Sequence, residues 1–79
     1  MNISGLIVYA QPAAFQALRA RLAEIPGVEV HATTAEGRMV VTVERPTDGE
    51  MTGVFDRIGA LDGVAATALV YHHDEPIDE

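Results

Sequence analysis

Three observations predict an α+β domain of order βαββαβ. Two stripes of apolar residues at helical spacing are set among four short runs of strand character. Glycine-containing turns separate these runs. The second half also echoes the first: Arg21-Leu22, Ile25, Gly27-Val28 and Ala32 recur 36 positions later as Arg57-Ile58, Leu61, Gly63-Val64 and Ala68. Each copy is the end of a helix, a glycine turn and the start of a strand.

Residues 4–10, Ser-Gly-Leu-Ile-Val-Tyr-Ala, form an almost unbroken apolar run of strand length, as a central strand requires. Gln11-Pro12 then opens a helix, because proline lacks only an N–H that the first turn leaves unpaired anyway. Phe15, Leu18, Leu22 and Ile25 share one helical stripe, and Pro26-Gly27 ends it. Val28 to Thr33 alternates apolar and polar, Ala35-Glu36-Gly37 turns, and Met39 to Glu44 alternates again, so the two runs form a hairpin. Thr47-Asp48-Gly49-Glu50 has the spacing of a capping box. Met51, Val54, Phe55, Ile58 and Leu61 make the second stripe, Asp62-Gly63 stops it, and Val64 to His72 is the last strand.

Two βαβ halves of this kind build a split-βαβ, ferredoxin-like fold. Right-handed crossovers give strand order 4-1-3-2 in an antiparallel sheet, with both helices on one face and the other face open. Parity assigns the faces. Val28, Val30 and Ala32 match Val64, Ala66 and Ala68 in the echo and are expected under the helices, with Leu6, Val8, Ala10, Met39, Val41, Val43 and Val70. The open face is then expected to carry Ile7, Tyr9, His31, Thr33, Val40, Thr42, Thr67, Leu69 and Tyr71. A solvated face would be richer in charge, so this set reads as an apolar docking patch.

Composition narrows what docks there. The 79 residues suffice for one core, expected over 1–73, followed by an acidic tail over 74–79 holding Asp74, Glu75, Asp78 and Glu79. Five arginines and no lysine stand against twelve acids, a net charge of −7. Such a field repels nucleic acid and anionic membranes and favours a cationic partner. The chain has no cysteine, which excludes thiolate chemistry and fits a reducing compartment, the cytoplasm. No apolar run approaches the ~18 residues of a membrane span, and no export leader is expected. His72 and His73 are adjacent in a strand and point to opposite faces, Ser4 has no base at a motif spacing, and the glycines form no phosphate loop. The residues therefore predict a binding module with no cofactor, no metal and no catalysis.

Three segments carry a family resemblance over Asn2 to Glu75: Ser4-Gly5-Leu6-Ile7-Val8-Tyr9-Ala10; Ile25-Pro26-Gly27-Val28-Glu29-Val30-His31; and Gly63-Val64 with Leu69-Val70-Tyr71-His72-His73-Asp74-Glu75. Together they resemble the NapD family, and the Leu-Val-Tyr-His ending is the most specific piece. The resemblance implies a cytoplasmic chaperone of the periplasmic nitrate reductase catalytic subunit. Such a chaperone binds the twin-arginine signal peptide of the precursor and delays export until the molybdenum cofactor is inserted. A basic, partly apolar peptide suits an acidic domain with an apolar face. On this reading Glu29 and Glu44, near the open face by parity, meet the arginines. The competing readings are a homodimer interface on that face and a small-molecule-sensing module similar to an ACT domain. Against the latter, Gln11-Pro12 stands where such modules begin a helix with glycine.

Overall fold

The computed structural model describes residues 2–74. Strands β1 (Asn2–Ala10), β2 (Val28–Thr33), β3 (Arg38–Arg45) and β4 (Val64–Asp74) form one antiparallel sheet in the order β2-β3-β1-β4, the expected 4-1-3-2 read from the other edge. Helices α1 (Phe15–Ala23) and α2 (Asp48–Gly59) supply the second layer. Of the acidic segment 74–79, Asp74 ends β4 and the remainder lies outside the described residues.

Each helix begins where its local chemistry directs. Pro12–Ala14 forms a single 3-10 turn ahead of α1, closed by the Ala14 amide donating to the Gln11 carbonyl at 2.8 Å. At α2, the Thr47 hydroxyl accepts from the Glu50 amide at 3.2 Å and donates to the Glu50 carboxylate at 3.3 Å. That carboxylate also holds Arg45 at 3.0 Å, so the cap ties α2 to the end of β3. Leu18 and Leu22 of α1, and Met51, Val54 and Ile58 of α2, are buried against Leu6, Val8, Met39, Val41 and Val43. Ile25 completes the first stripe from just beyond the end of α1.

The expected facing of side chains holds along the whole of β1 and β3 and breaks on the two edge strands. In β2, Val30 pairs with Val41 but Ala32 pairs with Val40, which makes His31 an extra residue. Ala32, expected under the helices, therefore shares the open face with Val40. Thr33, expected on the open face, lies opposite buried Met39, and its hydroxyl accepts from Arg19 of α1 at 3.4 Å.

In β4 the pairing with β1 steps from Ala10↔Val64 to Tyr9↔Ala66, leaving Ala65 unpaired. Directly paired residues of an antiparallel ladder share a face. Ala66 and Ala68 accordingly turn to the open side, whereas Thr67 and Leu69, expected there, lie opposite Val8 and Leu6 on the helix side. A second irregularity leaves Val70 extra and restores Tyr71, opposite Gly5, to the open face. All three bulges fall on strands with one neighbour, where an inserted residue disrupts a single ladder.

Gly27 joins α1 to β2 with φ +85, and its carbonyl accepts from the Glu44 amide at 2.8 Å. A Cβ there would also press into the Glu44 carbonyl oxygen. Gly27→Ala is expected to cost at least about 1 kcal/mol, read as a lower urea midpoint with unchanged slope.

Candidate peptide-binding face

Pairing registers arrange the open face as rows across the sheet. The first row is Glu44 and Ile3, and the second is Glu29, Thr42, Gly5 and Tyr71. The third is Ala32, Val40, Ile7 and Ala68, and the last is Arg38, Tyr9 and Ala66. Eight of the eleven residues anticipated for this face are on it: Ile7, Tyr9, Glu29, His31, Val40, Thr42, Glu44 and Tyr71. Thr67 and Leu69 are not, because of the bulge at Ala65, and Thr33 is not, because of the bulge at His31.

The centre of the face is an apolar trough of about 320 Å³. Ile7 and Val40 form its floor, Val70 and Tyr71 one wall, and Thr42 and His31 the other. Val70 and Tyr71 are 61% and 47% exposed, large apolar surfaces that no described residue covers fully. The Tyr71 ring lies across Gly5, where a Cβ would come within 2.7 Å of Cδ1 and 3.0 Å of Cζ. The opposite wall is braced by a 2.6 Å hydrogen bond between His31 Nε2 and Thr42 Oγ1.

The two ends of the face differ in charge. At one end Glu29 and Glu44 border a polar hollow of about 160 Å³ with Gly27 and Thr42. Glu29 lies 3.8 Å from His31, and both carboxylates are exposed. At the other end the Arg38 guanidinium sits 6.0 Å above the centroid of Tyr9, within cation–π range. From Glu44 to Arg38 is six residues of extended chain, or about 20 Å. The face thus runs from anionic through apolar to cationic.

Gly5, Val70 and Ile3 belong to this face and were not anticipated. A glycine inside an apolar strand was the available signal for Gly5, since it marks a close approach by another group. Val70 carries no such signal, because a bulge is defined by its partner strand. Among the described residues no three His, Cys, Asp or Glu are grouped to hold a metal ion, and no helix is long and apolar enough to cross a membrane.

Known proteins are similar to this chain in sequence and fold. The family model described as NapD protein matches residues 1–76. The chaperone NapD of Paracoccus pantotrophus is 33% identical over 79 residues, which are 100% of this chain and 70% of that protein. The solution structure of the E. coli Tat proofreading chaperone protein NapD is similar with a TM-score of 0.82 and 28% identity, covering 98% of this chain and 82% of that one.

Proposed function

The chain belongs to the NapD family, and from that membership we propose that its open sheet face receives a twin-arginine signal peptide. The partner is the catalytic-subunit precursor of a periplasmic nitrate reductase. Binding takes place in the cytoplasm, holds the precursor back until its molybdenum cofactor is inserted, and involves no catalysis.

The observation that carries this reading is the order of chemistry along the face. A twin-arginine leader is basic first and apolar afterwards. Glu29 and Glu44 stand at one end, the Ile7–Val40–Tyr71 trough in the middle, and Arg38 at the far end. The arginines pair with the carboxylates, and the apolar stretch fills the trough. The positive end of the face repels the peptide's basic segment, which sets one orientation. A helix of about 13 residues covers the same ~20 Å. The relative solved in solution is described as a Tat proofreading chaperone, which supports the same partner class.

Isothermal titration with the isolated leader tests the proposal. It should saturate near one-to-one, and leaderless enzyme should bind far more weakly. Glu29→Gln with Glu44→Gln should weaken leader binding about tenfold at low salt, equivalent to ~1.4 kcal/mol, with the difference shrinking as salt screens the pair. Replacing the two arginines of the leader by lysine should also weaken it, since lysine lacks the planar fork that grips a carboxylate. Equal binding to leaderless enzyme, or a tight response to a free amino acid, overturns the reading.

A further inference from the structure

Beneath the sheet, on the helix side, four polar side chains meet that the open face does not use. Ser4 is 0% exposed, and its Oγ lies 2.7 Å from Nδ1 of His72. Nε2 of the same ring is 3.4 Å from Oδ1 of Asp48 in the first turn of α2, and Asp48 also accepts from Nδ2 of Asn2. Serine, histidine and aspartate in sequence suggest a nucleophile relay, but Ser4 is sealed from any substrate. The ring thus sits between two partners: Nδ1 is hydrogen-bonded to the Ser4 hydroxyl, and Nε2 faces the Asp48 carboxylate at ion-pair distance. What remains is to ask what this arrangement holds in place.

The answer lies in the pairing of β4. Leu69 pairs with Leu6 and Tyr71 with Gly5, so Val70 is extra. Without that bulge, Val70 would fall opposite Gly5, Tyr71 opposite Ser4 beneath the helices, and His72 opposite Ile3 on the open face. A one-residue slip of this kind reverses every side chain beyond it. Only the bulged register brings His72 to Ser4 and Asp48.

We propose that His72 is the positioning residue for the binding face: its hydrogen bond to Ser4 and its contact with Asp48 hold the bulge at Val70 and thereby keep Tyr71 over Gly5. A contact on the helix side thus builds a wall of the trough on the opposite side. The importance of that wall for a leader peptide rests on the proposed function; the register lock itself does not.

Nuclear magnetic resonance on the whole chain tests the lock without any ligand. The native protein should show Gly5 Hα resonances displaced upfield by the Tyr71 ring, with cross-peaks between them. In His72→Phe these should be lost and replaced by contacts between Val70 and Gly5. His72→Asn, which keeps an acceptor near the place of Nδ1, should restore much of the native pattern. Should His72→Phe fail to fold, Ser4→Ala removes a single oxygen and is expected to weaken the same cross-peaks. Native Tyr71–Gly5 cross-peaks in both His72→Phe and Ser4→Ala would overturn the proposal. Titration of the leader into His72→Phe should show at least a tenfold loss of affinity. Loss of the cross-peaks with undiminished leader affinity would leave the lock standing and remove the leader from this face.

Discussion

Tyr71→Ala is expected to weaken binding of a twin-arginine leader at least tenfold, while Leu69→Asp leaves it within about twofold. The two residues are close in sequence and both exposed, at 47% and 56%. Their difference is one of face. Tyr71 walls the trough over Gly5, whereas Leu69 pairs with Leu6 and points to the helix side. An aromatic anchor at the centre of an interface contributes ~2 kcal/mol or more, which exceeds tenfold in affinity. Neither side chain belongs to the buried core, so far-UV circular dichroism should be unchanged in both variants. A large loss from Leu69→Asp, with Tyr71→Ala neutral, would place the leader on the other side of β4.

Ile58→Ala should lower stability by about 2–5 kcal/mol, the usual range for truncating a fully buried aliphatic side chain. Ile58 is 0% exposed and joins α2 to the core beside Met51 and Val54. A domain of this size holds only about 4–12 kcal/mol in total, so the variant should melt at least about 8 °C lower and approach unfolding at physiological temperature. The substitution lies under the sheet and leaves the trough intact. Leader affinity measured well below the melting point should therefore match that of the parent chain, which separates loss of fold from loss of site. An unchanged melting temperature would mean that α2 contributes little to the core.

The order of elements was legible because each rests on local chemistry. Pro12 suits a first helical turn, Thr47 and Glu50 cap α2, and Gly27 takes a backbone conformation that other residues avoid. The facing of β1 and β3 was equally legible. Both are central strands hydrogen-bonded on two sides, so neither accepts an extra residue cheaply, and strict alternation carries from end to end. Six of the eight residues that lie on the open face as expected are fixed by alternation: Ile7 and Tyr9 on β1, Val40, Thr42 and Glu44 on β3, and Glu29 ahead of the β2 bulge.

By itself the sequence determined the βαββαβ order, the sheet topology, the core stripes and an acidic chain with an apolar open face. The edge strands were decided in three dimensions. Nothing in Ala65-Ala66-Thr67-Ala68-Leu69-Val70 states where a residue will be left unpaired, since each of these side chains suits either face of a strand. Tyr71 reaches the open face after two bulges have cancelled in parity, so its anticipated place was right while the path to it was not. Thr67 and Leu69, caught between those bulges, changed sides. The tertiary structure made that choice through contacts distant in sequence: a buried hydroxyl on Ser4 that needs a partner, a carboxylate at the head of α2, and a glycine that leaves room for a ring. A buried hydroxyl left without a partner costs about 1–3 kcal/mol, which favours the register of β4 that brings His72 to Ser4.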